Sequence, residues 1–372
     1  MLTKNYLFTK KFETVLNTIT IMEKKRISLA HGAGGVLMNN LIKNQILKYF
    51  SLNHHEVSLN ALDDAGITEG IVFTTDSYTV KPLFFPGGNI GVMSVAGTVN
   101  DIAVMGGKPL VLSCSMIIEE GFSIEELDLI IKSIQETCIK ADVDIITGDT
   151  KVLERNALDK LIINTSGIGK KSQYLEKNLK IVKRYRPNFN SDWLLDSNIQ
   201  KGYKIIISGT LGDHGVAIMS ARNEYGLESQ VESDVAPLNN LIKKGLDVGG
   251  IVSIKDPTRG GLANLLNEWS EKSKTGFIIL EKDIPVKESV RSALGFLGLD
   301  VLEIGNEGKI CLAVIPEKAE EILGILRETP EGKDAMIIGE ATDEFDLPIL
   351  ETQIGGRRIL AKPAGDPIPR IC

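Results

Sequence analysis

The stretch IGVMSVAGTVNDIAVM (Ile90–Met105) is the most apolar run of the chain and has the pattern of a buried helix with a carboxylate inside it. Asn100 and Asp101 interrupt the run, so it is too short and too polar to cross a membrane. A carboxylate within an apolar helix either faces a site or carries a burial penalty of several kcal/mol. We therefore interpret Asp101 as a functional residue on a core helix.

Strand and helix patterns alternate on both sides of this stretch. In the first half, strands are predicted at Arg26–Ala30, Gly70–Thr75, Leu110–Ile118, Val143–Thr147 and Leu161–Ile168, with further helices at Leu37–Phe50 and Ile124–Lys140. In the second half, strands are predicted at Tyr203–Ser208, Phe277–Leu280, Lys309–Ile315 and Met336–Gly339, and helices at Val216–Arg222, Leu238–Leu246 and Leu262–Glu271. This alternation predicts an α/β (α+β) fold.

The length of 372 residues exceeds the roughly 100–200 residues of one domain, so two domains are expected. We predict an N-terminal extension at 1–25, an N-terminal domain at 26–169, an irregular connection with an insertion at 170–200, a C-terminal α/β domain at 201–353 and a tail at 354–372. Because the tail is rich in Gly and Pro and lacks apolar periodicity, we expect it to be flexible and not to pack.

Composition excludes several classes of function. A net charge of −7 without a basic run argues against a nucleic-acid partner, and no apolar stretch is long enough for a membrane helix. The first residues lack the pattern of a signal peptide, so the cytoplasm is the expected compartment. The four cysteines are far apart without a C-x-x-C pair, which disfavours a zinc site or a disulfide framework.

Aspartates stand where predicted strands or helices meet turns, as at Asp64, Asp76 and Asp149. Carboxylates on rigid elements can hold a hard cation such as Mg²⁺, with nucleotide phosphate oxygens as further ligands. Single aspartates are more often turn and cap residues, and for Asp63 alone we favour that interpretation.

Several turns that precede helices are candidate anion sites. Gly34 and Gly35 come just before a helix, where backbone amides can approach a phosphate, although glycine clusters are usually plain turns. Asp256 and Arg259 lie in DPTRGG, which also precedes a helix. His214 in GDHG is equally compatible with a phosphate donor and with a capping residue. The chain contains no Walker loop.

Cys372 is the last residue of the chain, at the end of an arm that begins near Gly356. Fully extended, this arm could reach roughly 55 Å. The terminal carboxylate should raise the pKa of the thiol, and Arg370 offers partial compensation. This geometry fits a swinging carrier thiol, and the alternative is a cysteine that is last by chance.

The motifs, read in order, resemble those of the HypE family of hydrogenase maturation factors from about Ile27 to Cys372. They are HGAGG (31–35), DDAG (63–66), TTDS (74–77), PLFFPGG (82–88), AGTVNDIA (96–103), GDTKV (148–152), GDHG (212–215), DPTRGG (256–261), NEGK (306–309) and PRIC (369–372). The terminal cysteine is the most specific of these, because related enzymes share the aspartates but lack it. One departure is Ile304-Gly305, where the family pattern has a small apolar residue and alanine.

The resemblance implies the two-domain ATP-binding fold of aminoimidazole ribonucleotide synthetase and selenophosphate synthetase, in which N-terminal mixed sheets form the core of a homodimer and ATP lies near that interface. It implies ATP and Mg²⁺ as cofactors. The residues that match metal-ligand positions are Asp64, Asp76, Asp101 and Asp256. Those expected to contact the nucleotide or its phosphates are Gly34, Gly35, Thr75, Asn100, Gly148, Asp149, Thr150, His214 and Arg259. Those expected in the dehydration step are Cys372, Lys151, Glu307 and Arg370.

The activity implied is ATP-dependent dehydration of an S-carbamoyl group on Cys372 to a thiocyanate, which supplies cyanide ligands for [NiFe] hydrogenase. The implied partners are the carbamoyltransferase HypF and the HypC–HypD complex. Two alternatives remain at this level. One is another phosphotransfer enzyme of the superfamily, of the selenophosphate synthetase or thiamine monophosphate kinase type, and the other is a nucleotide-regulated assembly scaffold.

Overall fold

The structure is a computed structural model that describes residues 26–50, 55–222, 226–227, 229–365, 367–368 and 370–372. The predicted extension at 1–25 lies outside these residues. The strands are β1 Gly66–Thr68, β2 Ile71–Tyr78, β3 Phe84–Phe85, β4 Gly88–Asn89, β5 Gly107–Glu119, β6 Asp144–Leu153, β7 Leu161–Lys171, β8 Lys204–Ile207, β9 Ile251–Lys255, β10 Gly276–Leu280, β11 Cys311–Val314, β12 Met336–Thr342, β13 Pro348–Glu351 and β14 Arg357–Ile359. The α-helices are α1 Gly35–Leu41, α2 Ile90–Val104, α3 Ile124–Ala141, α4 Gln173–Tyr185, α5 Asp213–Ala221, α6 Asn239–Val248, α7 Gly261–Ser273, α8 Glu288–Leu297 and α9 Ala319–Arg327.

The first half of the chain forms a five-stranded mixed sheet in the order β1-β2-β7-β5-β6. Strands β5 and β6 are parallel, and the other neighbours are antiparallel. Helix α2 packs on β2, β5 and β7 and also against α3, so one face of the sheet is covered. On the opposite face Phe73 and Ile168 pair across β2 and β7 and are exposed. This uncovered surface is called the open face below.

Helix α2 is the predicted core helix, and its start has a clear local cause. The side chain of Asn89 accepts hydrogen bonds from the amides of Gly91 and Val92, which satisfies two donors of the first turn. Nearly every residue of the helix is buried. Asn100 joins the two halves of the protein, because its side chain accepts from the amide of Leu238 and donates to the carbonyl of Ala236. The helix therefore places Asp101 at the junction of the two domains.

The second half forms a seven-stranded sheet in the order β14-β13-β10-β12-β8-β11-β9. Only β10 and β13 are parallel neighbours, and the remaining registers are antiparallel. Three cysteines, Cys114, Cys138 and Cys311, are buried. In the described part of the chain, no helix has both the length and the apolarity needed to cross a bilayer.

Two predictions near the N-terminus are wrong in detail. The residues expected to form a strand at Arg26–Ala30 include the start of a 3-10 helix at Leu29–Gly32. The helix expected at Leu37–Phe50 is α-helical only as far as Leu41 and continues as a π-turn and a 3-10 turn. These residues are mostly exposed, so packing against a core does not impose a regular geometry on them.

The connection predicted to be irregular at 170–200 contains the helix α4. Ser172 caps its first turn by accepting from the amide of Tyr174. Leu175, Leu179 and Val182 are buried at helical spacing, which is an amphipathic signal hidden among many charged residues. The expectation of irregular structure was therefore wrong for this segment.

The expectation that the tail does not pack is also wrong. Residues Arg357–Ile359 form the edge strand β14, and the last described residues turn back into the protein. Ile368 is 0% exposed and Ile371 is 1% exposed, and both belong to the core cluster that contains Ile304. Two isolated apolar side chains bury themselves in a cleft formed by distant residues, which no local periodicity reveals.

Replacement of Asn178 on α4 tests how firmly this helix is tied to the C-terminal sheet. Its buried side chain donates to the carbonyl of Ile251 at 2.7 Å and accepts from the amide of the same residue at 2.8 Å. Asn178→Ala leaves both groups unpaired and should lower the free energy of unfolding by about 2–4 kcal/mol, measured by urea denaturation. The exposed Lys180→Ala on the same helix should change it by less than about 0.5 kcal/mol, and equal effects would contradict the assignment.

Candidate active site at the domain junction

Five carboxylates from both halves of the chain meet at the domain junction and are called the acidic cluster below. They are Asp64 before β1, Asp76 in β2, Asp101 in α2, Asp256 after β9 and Glu307 before β11. The charge of at least one other member raises the pKa of Asp101, of Asp256 and of Glu307. The fold thus collects residues that are up to 243 positions apart in the sequence, between Asp64 and Glu307.

Burial dominates the electrostatics of the cluster. It raises the pKa of Asp101 well above the usual range, and the charges of Asp256 and Asp76 raise it further. Burial together with Asp64 raises the pKa of Asp256 to about 7. The hydroxyl of Thr74 donates to Asp101 Oδ2 at 2.9 Å, which offsets only part of this effect. The carboxylates are therefore held close together against their mutual repulsion.

Glu307 is buried at the edge of the cluster. Burial raises its pKa well above the usual range, the charges of Asp256, Asp234 and Asp76 add to this, and Arg259 opposes it. Arg259 also favours the ionised form of Asp76 and donates to the carbonyl of Gly32 at 2.9 Å. A carboxylate with these surroundings and one arginine nearby is a candidate proton acceptor.

Two lysines partly neutralise one side of the cluster. Lys255 forms ion pairs with Asp64 at 2.7 Å and with Asp196 at 3.4 Å. Lys272 forms ion pairs with Asp63 at 2.8 Å and with Asp196 at 2.7 Å. This agrees with the interpretation of Asp63 as a structural residue.

The donor set of the cluster suits a hard divalent cation. Its ligands are all carboxylate oxygens, and within the described residues neither Asp101 nor Asp256 has an ion pair with a lysine or arginine. However, no group of three or more His, Cys, Asp or Glu side chains in the described ranges converges closely enough to hold a metal alone. The carboxylates therefore fit a cation that takes its other ligands from phosphate oxygens and water.

Cys372 lies beside this cluster. A cavity of about 430 Å³ is lined by Cys372 together with Asp76, Ser77, Thr79 and Arg259, among other residues. The hydroxyl of Thr79 donates to the main-chain oxygen of Cys372 at 3.2 Å. The folded tail thus brings the terminal residue to the same cavity as one carboxylate of the cluster and the arginine.

Several polar contacts hold the tail in place. Arg370 forms an ion pair with Asp159 at 2.7 Å and donates to the carbonyl of Thr79 at 2.9 Å. Arg222 donates to the carbonyl of Arg370 at 2.8 Å. His214 Nε2 lies 2.9 Å from the carbonyl oxygen of Ile371. These contacts and the two buried isoleucines define the docked tail.

The structure shows protein partners for His214 and Asn100, which were predicted to contact the nucleotide or its phosphates, and for Arg370, which was predicted to act in the dehydration step. Both ring nitrogens of His214 already have protein partners, and burial lowers its pKa, so it holds the tail as a neutral ring rather than facing a phosphate. Both polar groups of the Asn100 side chain are used between the domains. Arg370 binds Asp159 and Thr79, which ties the tail to the N-terminal domain.

The glycines before α1 lie where the tail passes over the helix start, since the amide of Val36 donates to the carbonyl of Pro363 at 3.3 Å. A Cβ atom on Gly35 would overlap the same carbonyl oxygen, and its φ of +70° is in the left-handed region. Close approach of the tail therefore explains the need for glycine at position 35. Gly34 lines a second cavity of about 340 Å³ beside Asp64 and Arg259.

The GDTK residues lie on β6 and stay apart from the acidic cluster within one chain. A Cβ on Gly148 would overlap the carbonyl of Cys114 on β5. Asp149 and Lys151 are exposed and pair with each other at 3.0 Å, while Thr150 is exposed between them. Through the registers of β5 and β7, Asp149 shares a row of the sheet with Ser77, three strands and about 14 Å away. Thr75 is likewise exposed on this sheet.

The sequence patterns assigned no role to some residues that the structure places at the site. Lys255 could have been noticed as a charge at the end of the apolar strand β9, directly before Asp256. Asp159, Asp196 and Asp234 had no usable signal, because each stands in a polar or irregular stretch. Their importance depends on partners that are distant in the sequence.

Two family models match the two halves of this architecture. The N-terminal domain of AIR synthase related proteins matches residues 62–170, and the C-terminal domain of the same proteins matches residues 200–349. Together with the acidic cluster between two mixed sheets, these matches define the class as an AIR synthase related two-domain fold.

More similar relatives narrow this class. The chain is 50% identical over 354 residues to a putative hydrogenase expression/formation protein of Methanocaldococcus jannaschii, covering 93% of this chain and 100% of the relative. It is 44% identical over 350 residues to the carbamoyl dehydratase HypE of Bradyrhizobium diazoefficiens, covering 93% of this chain and 96% of the relative. The chain belongs to the HypE family of carbamoyl dehydratases.

Solved structures agree with this assignment. A HypE chain in a HypE–HypF complex is similar with a TM-score of 0.78 and 44% identity, covering 87% of this chain and 99% of that one. A HypE structure in complex with ATP is similar with a TM-score of 0.74 and 39% identity, covering 93% of this chain and 100% of that one. Thiamine monophosphate kinase from Aquifex aeolicus, at a TM-score of 0.60 and 14% identity, shares the fold.

Removal of the charge of Asp159 tests the docked tail. The ion pair with Arg370 is partly exposed, so Asp159→Asn should increase the alkylation rate of Cys372 by N-ethylmaleimide about two- to fivefold, as followed by mass spectrometry of the C-terminal peptide. Asp343→Asn, which breaks a similarly short ion pair with Lys201, is the matched control and should leave the rate unchanged. An unchanged rate in Asp159→Asn would show that this ion pair does not hold the tail.

Proposed function

We propose that this carbamoyl dehydratase uses ATP to convert an S-carbamoyl group on its own Cys372 into a thiocyanate. The observation that carries the proposal is the docked tail, in which Cys372 lines the same cavity as Asp76 and Arg259. A reactive group on the thiol would project into that cavity beside the acidic cluster. The position of Cys372 in this cavity supports a covalent tether rather than a chance cysteine.

The chemistry explains why ATP is required. Dehydration of an amide would otherwise expel hydroxide, which is a very poor leaving group. Transfer of the γ-phosphoryl group to the amide oxygen replaces hydroxide with phosphate as the leaving group. As the C–O bond breaks and the C≡N bond forms, the nitrogen loses its protons to a base. A HypE structure in complex with ATP supports the nucleotide assignment for this family member.

Residues of the junction match the needs of this reaction. Arg259 lies at the cavity and would offset charge on a phosphoryl group. Glu307 is the proposed proton acceptor, because burial raises its pKa and positive charge that offsets its acidic neighbours would favour the ionised form that accepts a proton. Mg²⁺ held by Asp64, Asp76, Asp101 and Asp256 would supply positive charge to the nucleotide phosphates. The all-carboxylate donor set supports this choice of cation.

The open face supports a homodimer in which the partner completes the site. Its exposed apolar side chains form a surface that a monomer would leave in water; they are Ile71, Phe73, Ile117, Ile146 and Ile168. Asp149 and Lys151 lie on the outer strand of this sheet. Because Lys151 is far from the acidic cluster of its own chain, we propose that it and the neighbouring Gly148, Asp149 and Thr150 serve the nucleotide site of the partner protomer.

The proposed reaction has a donor and an acceptor. A protein of the HypF type would load the carbamoyl group, and the solved HypE–HypF complex supports this partner. The HypC–HypD complex is the proposed acceptor of the cyano group for [NiFe] hydrogenase assembly in the cytoplasm. Since the docked tail buries Ile368 and Ile371, it must leave its cleft to meet either partner.

Substitution of the terminal thiol tests the tether directly. Cys372→Ala should still bind ATP, because the acidic cluster and Arg259 are intact, but it should form no adduct after incubation with HypF, carbamoyl phosphate and ATP. Intact-mass spectrometry is the measurement, and the wild-type C-terminal peptide should gain a carbamoyl group and then lose water. A carbamoylated or cyanated Cys372→Ala protein would refute the proposal, and Cys114→Ala serves as the control that keeps the adduct.

Mixed dimers test the contribution of the partner. Lys151→Ala and Cys372→Ala proteins should each fail to make thiocyanate alone. If Lys151 acts across the interface, a mixed dimer regains activity, because the Lys151→Ala protomer keeps its own thiol and receives the partner's lysine. Thiocyanate formation by purified differently tagged dimers is the measurement. Absence of activity in dimers that do form would contradict the shared site.

A further inference from the structure

Asp234 holds the loop that carries Glu307 from both sides. Its Oδ1 accepts from the amide of Glu307 at 3.2 Å, and its Oδ2 lies 3.2 Å from Lys309 Nζ. Between these two residues, Gly308 is so close to the backbone carbonyl of Asp234 that a Cβ atom would overlap it. The position of the Glu307 backbone therefore depends on Asp234.

The preceding residue, Ser233, is connected to the tail through His214. The hydroxyl of Ser233 lies 2.8 Å from His214 Nδ1, and His214 Nε2 lies 2.9 Å from the carbonyl oxygen of Ile371. Because a carbonyl only accepts, Nε2 carries the proton and Nδ1 accepts from Ser233. The amide of Val235 donates to the same Ser233 oxygen at 3.1 Å, which fixes the direction of the hydroxyl.

A second, apolar path joins the same two regions. The Cδ1 atom of Ile371 lies 3.5 Å from the Cβ position of Gly305, two residues before Glu307. Ile304 and Ile371 share one core cluster, and a Cβ on Gly215 would overlap Ile304 and approach both tail isoleucines. The departure Ile304-Gly305 from the family pattern thus lies where the tail packs.

We infer that Ser233 and Asp234 are positioning residues that place Glu307 for catalysis when the tail is docked. This inference rests on the proposed function of Glu307 as proton acceptor. When the tail leaves, the protonated nitrogen of the fully buried His214 loses its acceptor, and Ile304-Gly305 lose their packing partner. Both changes increase the mobility of the Glu307 loop, which Asp234 contacts. By linkage, the ordered Glu307 loop also favours the docked tail.

The physical consequence is that docking of the tail positions Glu307, the proposed base, at the same time as it delivers the substrate. While the tail is undocked to receive its carbamoyl group, the Glu307 loop would be less ordered. Docking would bring the substrate-bearing thiol and the correctly placed carboxylate to the cavity in one step. Loss of water, the step that needs Glu307, would then proceed only when a tail occupies the cleft.

Hydrogen exchange tests the coupling without any carbamoyl chemistry. A chain that ends at Arg370 should show about tenfold faster amide exchange in the peptide 304–310, the change expected from the loss of one buried hydrogen bond. Ser233→Ala in the full-length chain should give a similar increase. Ser229→Ala, which removes a hydroxyl that accepts from Val231 in the same loop but not on this path, should leave exchange at the wild-type rate. Unchanged exchange in the truncated chain would overturn the inference.

Single-turnover kinetics of the carbamoylated full-length protein test the positioning role. Asp234→Ala should lower the rate constant for loss of water at saturating ATP about tenfold or more, with the Kd for ATP unchanged. Asp234→Asn should recover most of the rate, because its Oδ1 still accepts from the amide of Glu307. A raised Kd for ATP at an unchanged rate constant would overturn the role of Asp234. Because exchange is measured without the reaction, altered exchange in a protein that forms no thiocyanate would count against the proposed function alone.

Discussion

The crowding of buried carboxylates between the two domains is the constraint on which the rest of the structure depends. Asp101 and Asp256 come from different halves of the chain; the charge of Asp256 raises the pKa of Asp101, and burial raises the pKa of both. Such repulsion is tolerated only where a rigid scaffold enforces it. Helix α2, locked between the sheet and the C-terminal domain by Asn100, is that scaffold on one side.

The C-terminal tail is a structural part of this junction as well as the carrier of a thiol. Two isoleucines, the Arg370–Asp159 ion pair and the His214 hydrogen bond hold it, and each contact involves only a few atoms. Partly exposed ion pairs contribute little stability, so the tail can dock reversibly. A segment that has to meet another protein and then return needs this balance.

The N-terminal sheet shows the opposite arrangement, in which one face is left without a cover. Helices α2 and α3 cover one side, while Phe73 and Ile168 are exposed on the other. The exposed GDTK segment lies on the outer strand of the same sheet, away from the acidic cluster of its own chain. The uncovered face and the incomplete site are explained together by a proposed second copy of the chain.

The sequence by itself determined the elements whose cause is local. The apolar run Ile90–Met105 predicted α2, and the terminal cysteine with the ordered motifs predicted the family and its reaction. The helix signal is visible because the apolar pattern of a helix extends over neighbouring residues. The presence of Asp64, Asp76, Asp101 and Asp256 at one junction was likewise predicted, through the resemblance rather than from spacing.

Only the tertiary structure decided which polar side chains face the site and which are used in contacts within the protein. His214 and Asn100 have the residue types of ligand-binding groups, yet their polar atoms are used by the tail and by the domain interface. The docking of Ile368 and Ile371 was invisible because their cleft is built from residues distant in the chain. Hydrogen-bond partners and buried surfaces of this kind form between segments far apart in sequence, so no local pattern records them.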